Sequence, residues 1–403
     1  MSKTNVTNLL DSDLARLGAA TRMYWSRPGL TLVGLGGVNA VEFTDIDNFA
    51  EISKNCFVED ADHIAFTAAP FDRNASGWIL IPNVVIKRTE EQGEPVIEVM
   101  GDLEILEAVL DAQAKMSAPV SETSSITSFE PDLDPQVWKG IVGNAIETFK
   151  TETLNKVVLA RSLVAQISNL DIQKVLKVLS SKTPLSYTFA IDSLVGSSPE
   201  LLISKFGDKV AAHPLAGTIT AGDDPEKNGN DLIGSTKDQW EHRVTIEWFL
   251  DSLLDYCSFV DAEPEPTLVR AGNLLHLGTK VLGQSRDVYS VADLVAALHP
   301  TPAVGGSPQQ EAIEYIAKHE QLDRRSYAGP VGWFDGKGDG EFAVGIRSAH
   351  IDEVQNSSDE PRHKVTVYAG VGVVEGSDPE LELAETEAKL RLIIEALTAQ
   401  IVN

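Results

Sequence analysis

Lys156 opens the run Lys156-Val157-Val158-Leu159-Ala160-Arg161, placing an ammonium group at the mouth of an apolar, β-branched segment that reads as a buried strand. Burial disfavours the charged amine, so a lysine there either takes a carboxylate partner or serves as a base near neutral pH. The acids that could meet it lie far along the chain: Glu200 in Ser198-Pro199-Glu200, Glu241 beside His242, and Glu382 and Glu385 near the C-terminus. One lysine and several scattered acids suggest acid–base chemistry with a metal. The sequence has no HExxH and no His pair at ligand spacing, which argues against zinc. Carboxylates alone point to Mg²⁺ if a metal is held.

Glu382, Glu385 and Lys389 fall at i, i+3 and i+7 of one helix, beside an apolar stripe of Leu383, Leu390, Ile394 and Leu397. Two readings are open for this polar stripe: an exposed, salt-bridged face, or a pair of glutamates holding a hard cation. Glu241 on an earlier helix poses the same choice. Arg347 ends Phe342-Ala343-Val344-Gly345-Ile346 and reads as an arginine inside an apolar strand. Such a guanidinium either pairs with a buried acid or captures a carboxylate with two parallel hydrogen bonds. Gly370 and Gly372, in Tyr368-Ala369-Gly370-Val371-Gly372-Val373, weaken a strand unless something approaches its backbone closely. A bulge and a ligand carboxylate held on backbone N–H groups are the alternatives. His213-Pro214-Leu215-Ala216-Gly217-Thr218 and residues 298–306 read as ordered loops beside strand ends. No nucleophile elbow or Walker loop occurs.

These residues need elements to hold them. Asp134 caps a helix with Pro135 in its first turn and Trp138, Ile141, Val142, Ala145 and Phe149 on one face. A strand over 156–167, a helix near 171–180 and strands over 187–192, 201–206 and 209–212 follow. Ser235 starts a long helix through Tyr256 that carries Lys237, Asp238, Glu241 and His242 on its early turns. Further strands are expected over 267–271, 274–282, 329–334, 342–348 and 364–374, and Asp378 caps a last helix that begins at Pro379. Within the first 120 residues, Gly34-Leu35-Gly36-Gly37-Val38-Asn39-Ala40 reads as a tight turn rather than a dinucleotide fingerprint, because Asn39 stands at the third glycine position. Residues 118–135, rich in Ser, Thr, Pro and acids, read as a linker. Strands and helices do not alternate strictly, so the fold class is α+β and largely antiparallel.

The chain has 403 residues, 33 basic and 60 acidic, with a net charge of −27, which excludes nucleic acid and anionic membrane as main partners. Two cysteines without CxxC spacing exclude a disulfide framework, and Cys257 reads as a small buried hydrophobe. Residues Met1-Ser2-Lys3-Thr4-Asn5-Val6-Thr7 have no apolar core of a signal peptide, and no apolar stretch is long enough to span a membrane. A cytoplasmic location is expected.

Together these segments resemble the chorismate-utilising enzymes: isochorismate synthases, salicylate synthases, and the large subunits of anthranilate and aminodeoxychorismate synthases. The motifs that carry the resemblance run from about residue 130 to 395. They include Lys156–Arg161, Ser198-Pro199-Glu200-Leu201-Leu202, Pro214-Leu215-Ala216-Gly217-Thr218, Lys237-Asp238 with Glu241-His242, and Leu275-His276-Leu277. Residues 298–306, Tyr327-Ala328-Gly329-Pro330-Val331-Gly332, 342–347, 369–372 and 382–389 complete them. The resemblance implies one large domain over 1–403, an anthranilate synthase component I-like antiparallel sheet core ringed by helices, with a divergent part at 1–120 and a motif-bearing catalytic part at 130–395. It also implies Mg²⁺-dependent chemistry on chorismate.

Within that family the residue at position 156 separates water users from ammonia users, and a lysine there resembles the isochorismate and salicylate synthases. Aminodeoxychorismate synthases can place a lysine nucleophile at position 216, where this chain has Ala216. Both positions favour water, so no glutamine amidotransferase subunit is required. The loop around Ala303 looks like that of isochorismate synthases, including those of menaquinone pathways, whereas salicylate synthases usually carry threonine there. The implied roles are Lys156 as base, Glu200 as acid, and Glu241 and Glu385, supported by Glu382, as metal ligands. Arg347, Tyr327 and the backbone at Gly370 would hold the pyruvyl carboxylate, with His276, Lys389, Ala303, Ala216, Gly217 and Thr218 lining the rest. Two departures, Ile219-Thr220-Ala221-Gly222 and Gln239 where arginines are common, bear on affinity. The expected reaction is conversion of chorismate to isochorismate, which menaquinone and siderophore biosynthesis both use. Salicylate synthase is the alternative, and a catalytically silent binder of chorismate-like dicarboxylates a third reading.

Overall fold

Every strand pairing in the computed structural model is antiparallel, as the irregular order of strands and helices predicts. The structure describes residues 9, 11–57, 61–115, 124–150, 153–354 and 362–399. The Gly77–Glu91 strand joins two branches of sheet. One runs through Leu30–Phe43, Met23–Arg27, Tyr187–Ile191, Leu194–Ser198, Ser348–Val354 and Arg362–Val374 to Lys156–Ser168. The other runs through Ile64–Ala68, Pro330–Asp335, Gly340–Val344, Leu201–Phe206, Lys209–His213 and Val281–Ser285 to Cys257–Ala262. Trp25, Leu32, Phe66, Phe189 and Trp333 from the two branches pack into one apolar cluster. A separate small sheet holds Leu215–Thr220, Leu274–Gly278 and Thr267–Ala271.

The strand that bears Lys156 is firmly anchored. It pairs with Arg362–Val374 over its whole length, from Ser168 opposite Arg362 to Lys156 opposite Val374. The helix Pro135–Phe149 packs against it through Trp138, Ile141, Val142 and Ala145, and Trp138 Nε1 donates to the Ala160 carbonyl at 3.0 Å. The helix starts expected at Asp134, Ser235 and Asp378 form as capped ends, and Asp171 caps a further helix. Asp134, Asp171, Ser235 and Asp378 each accept from a backbone N–H of the first turn, satisfying donors that have no partner inside a helix. Cys257 is buried in its strand, as expected. No helix among the described residues is long and apolar enough to cross a membrane.

Five local expectations are corrected. Residues 34–40 are not a turn: they lie within the Leu30–Phe43 strand, whose register shifts between Leu35 and Val38 to make a bulge with Gly36 at φ +79°. The expected linker over 118–135 is partly sheet, because Ser125–Ile126 and Glu130–Pro131 pair with the Lys156 strand, while 118–123 lie outside the described residues, as does the N-terminal stretch 1–8. The single strand expected over 274–282 is two, Leu274–Gly278 in the small sheet and Val281–Ser285 in the large one. Its partner changes sheet at Pro214, which has no N–H to continue the ladder, and that turns the loop expected over 213–218 into the start of a strand, Leu215–Thr220. The strand expected over 342–348 breaks between Val344 and Ser348, where Arg347 takes a left-handed φ of +52°. A helix not expected from the sequence, Pro225–Gly234, precedes Thr236–Leu253.

Candidate active site

The Lys156 strand, the adjoining Arg362–Val374 strand, the small sheet and the helices Thr236–Leu253 and Pro379–Thr398 converge on one cleft of about 900 Å³, its open mouth included. Lys156 is 5% exposed, and its Nζ lies 2.5 Å from Glu241 Oε1. Both open readings of the lysine therefore meet in one place: it has a carboxylate partner, and it faces a cavity. Gly372 explains itself here. A Cβ on it would stand 2.9 Å from Lys156 Cε and 3.1 Å from Glu241 Oε1, so the glycine makes room for the ion pair and not for a bulge. Burial pushes the Glu241 carboxyl up, but the Lys156 charge and hydrogen bond, helped by Lys237 and Lys389, outweigh it and hold the group below the usual range.

Glu200 is the opposite case. It is 2% exposed, and its Oε1 has no hydrogen-bond partner among the described residues. Its backbone is pinned, with its N–H donating to Ser198 Oγ and its carbonyl accepting from Val344. Burial pushes its carboxyl up to about 7, against the pull of a backbone N–H at Leu215 and the charges of Lys156, Arg347 and Lys389. A fully enclosed carboxyl that keeps its proton near neutral pH is a general acid in waiting.

The polar stripe of the last helix does not face solvent. Glu382 is buried, Glu385 bonds Lys389 at 2.7 Å, and Lys389 Nζ also donates to the Gly370 carbonyl at 2.9 Å. All three line the cleft. Glu382 is pushed up by burial and further by the neighbouring Glu385 charge, despite a hydrogen bond from Ser377. Glu241, Glu382 and Glu385 thus present carboxylates to one cleft from two helices. Among the described residues no group of three His, Cys, Asp or Glu stands close enough to enclose a cation, and Glu241 and Glu385 are each held by a lysine. The donor set nonetheless fits a hard cation: it is all oxygen, two carboxylates crowd each other, and Mg²⁺ needs only one or two protein ligands with water and substrate oxygens.

Arg347 turns into the cleft at its left-handed residue and lies against His276, Nη2 to Nε2 at 3.2 Å, so it pairs with an imidazole rather than with an acid. His276 in turn meets Thr218 Oγ1 at 3.0 Å through Nδ1. Burial first, then the Arg347 and Lys389 charges, hold the imidazole well below its ordinary range, hence neutral. Tyr327 is buried, stacked on Tyr368 at 5.1 Å, and burial pushes its phenol up to about 12. Its Oη would sit 3.1 Å from a Cβ at Gly370, so that glycine too is a close approach. Ala216, Gly217 and Ala303 complete the lining, and Gly217 needs its φ of +77° beside Asp238. All fourteen residues singled out in the sequence face this one cleft.

Three lining residues carry charge that the sequence reading assigned no role: Lys237, Asp238 and Arg324. Arg324 is the most constrained. Its guanidinium bonds Glu320, the Val304 carbonyl at 3.0 Å and the Val158 carbonyl at 2.6 Å, and it stacks over Phe71. Glu320 also accepts the Ala160 N–H at 2.7 Å. This buried pair locks the 298–306 loop to the Lys156 strand. Its only sequence signal, an acid four residues before an arginine, is too common to single out. His242, by contrast, bonds Thr279 at 2.7 Å and does not line the cleft.

Comparison with known proteins agrees with this architecture. Residues 63–398 match the family described as chorismate binding enzyme. The chain is 31% identical to isochorismate synthase MenF of Bacillus subtilis, over 95% of this chain and 89% of that protein. It superposes on the crystal structure of a putative 2,3-dihydroxybenzoate-specific isochorismate synthase, DhbC, from Bacillus anthracis with a TM-score of 0.77, at 31% identity and covering 93% and 95% of the two chains. Anthranilate synthase component I from Streptococcus pneumoniae shares the fold at a TM-score of 0.72 and 18% identity, covering 91% of this chain and 92% of that one. With its motifs gathered in one cleft and the family match extending over most of its length, the chain belongs to the chorismate binding enzymes.

Proposed function

We propose that this chain is an isochorismate synthase, which converts chorismate reversibly to isochorismate by adding water at C2 and removing the C4 hydroxyl. The observation that carries the reading is Glu200: a buried carboxyl, its Oε1 without a protein partner, held up to about 7, in the same cleft as Lys156. Lys156, an ammonium in its ion pair with Glu241, first releases a proton to solvent; the freed amine takes the proton of the attacking water, which restores the ammonium held by Glu241 at 2.5 Å. Glu200 gives its proton to the departing C4 oxygen, which leaves as water. Arg347, Tyr327 and the backbone at Gly370 hold the pyruvyl carboxylate, and His276 and Lys389 complete the polar wall. Glu241 and Glu385, with Glu382 in support, would hold Mg²⁺, which would supply positive charge to an anionic ligand in the cleft. Lys156 as a base for water and Ala216 with no amine nucleophile both favour water over ammonia, so the reaction needs no glutamine amidotransferase partner, and the chain works in the cytoplasm.

Incubating the purified protein with chorismate and Mg²⁺ and separating the products tests this. Isochorismate is the expected product. Salicylate would mean that pyruvate is eliminated in the same pocket, and unchanged chorismate would mean a silent binder. Lys156→Ala should abolish turnover with the fold retained, and full activity in that variant refutes the assignment of the base.

A further inference from the structure

We propose that Arg347 and His276 form a hydrogen-bond relay of fixed polarity that makes the Thr218 hydroxyl a dedicated donor to the anionic ligand of the cleft. A guanidinium has only donors to offer. Arg347 Nη2 lies 3.2 Å from His276 Nε2, so that nitrogen must be the bare acceptor. The imidazole hydrogen then sits on Nδ1, where it faces Thr218 Oγ1 at 3.0 Å and the Gly217 carbonyl, so Thr218 cannot donate to that nitrogen. Thr218 therefore turns its own hydrogen away from the histidine. The opposite polarity would set an Nε2–H against a guanidinium N–H in a buried place, where leaving donors unmatched costs about 1–3 kcal/mol. An imidazolium would do the same and add a like charge. The neutral imidazole enforced by burial and by the nearby cations agrees with this order.

The backbone holds the relay in register. Thr218 and His276 are cross-strand partners in the small sheet, next to the shift that begins at Ala216. Arg347 reaches them from the left-handed turn after Gly340–Val344. All three side chains line the cleft. A donor that is oriented before the ligand arrives needs no reorganisation when charge develops. His276 is accordingly a positioning residue: it transmits the donor character of Arg347 to Thr218, so that this wall favours carboxylate and enol-ether oxygens and disfavours ligand groups that only donate.

The inference rests on the proposed reading of the cleft as a chorismate site, but its first test does not. Selective nitrogen-15 labelling of histidine reads the tautomer in the ligand-free protein, with His276 assigned by the signal lost in His276→Gln. The expected spectrum at neutral pH shows a protonated Nδ1 and a bare Nε2. An Nε2–H tautomer or an imidazolium overturns the proposal, whether or not the protein makes isochorismate. The second test is chorismate affinity. Thr218→Ser keeps the hydroxyl and should stay within about threefold of the natural protein, whereas Thr218→Val keeps the shape and should bind about tenfold more weakly or worse, the value of one hydrogen bond to a charged group. Equal affinity in Thr218→Val and Thr218→Ser overturns the donor role. Binding lost only in the valine variant, beside an Nδ1–H tautomer, supports it.

Discussion

Replacing Glu200 with glutamine separates its chemistry from its effect on stability, because the two should move in opposite directions. The substitution keeps the shape of a side chain that is 2% exposed and removes its titration. In the unfolded chain the carboxyl ionises around 4.5, whereas in the fold burial holds the proton up to about 7. Its folded value is raised, so its contribution to stability is complete below pH 4.5 and is lost as pH rises towards 7. At about 1.4 kcal/mol per unit, that loss amounts to roughly 3 kcal/mol above pH 7. Glutamine pays no such penalty. Urea denaturation of Glu200→Gln and the natural protein should therefore give a stability difference that shifts in favour of the variant by roughly 3 kcal/mol between pH 4.5 and pH 8. Turnover should fall by about 10²–10⁴, the usual worth of a general acid. In the natural enzyme, activity that depends on the protonated acid should decline as pH passes about 7. A stability difference independent of pH would show that Glu200 holds no displaced proton, and unimpaired turnover in the glutamine variant would remove it from the mechanism.

Three further outcomes follow from the geometry of the cleft and its supports. EDTA should silence the enzyme and added Mg²⁺ should restore it, and Glu385→Gln should raise the Mg²⁺ concentration needed for half-maximal rate; activity unaffected by chelation removes the metal from the proposal. Arg324→Met should destabilise the fold by about 3–5 kcal/mol in urea denaturation, because it leaves the Glu320 carboxylate buried without its cation. A change under about 1 kcal/mol would mean that the pair does not hold the 298–306 loop to the Lys156 strand.

Much of the fold could be read locally. A cap such as Asp134 or Asp378 is recognised from the few residues that follow it, and an apolar stripe such as Trp138, Ile141, Val142 and Ala145 repeats within two turns. The antiparallel class followed from the order of elements alone. The failures came where a neighbour overrode a local pattern. Leu274–Gly278 and Val281–Ser285 look like one strand, yet they belong to two sheets because the opposing chain changes sheet at Pro214. Gly36 and Gly37 look like a turn, yet the flanking residues stay paired with Gly77–Glu91 and absorb the extra length as a bulge.

Local pattern and residue order were enough to place a lysine at the mouth of a buried strand, glutamates on two helices, and the residues typical of a chorismate enzyme in sequence. Which of them meet depends on how the strands and helices pack. Lys156 and Glu241 are 85 residues apart and Arg347 and His276 are 71 apart, and nothing local to either member selects its partner. The same is true of what is missing: Glu200 Oε1 has no partner among the described residues, and no property of Ser198-Pro199-Glu200 announces it. The reason is that periodicity names the face on which a side chain lies, whereas its neighbours across the cleft depend on strand order and register. A slip of one residue in that register would turn the strand-borne Lys156 and His276 to the opposite face.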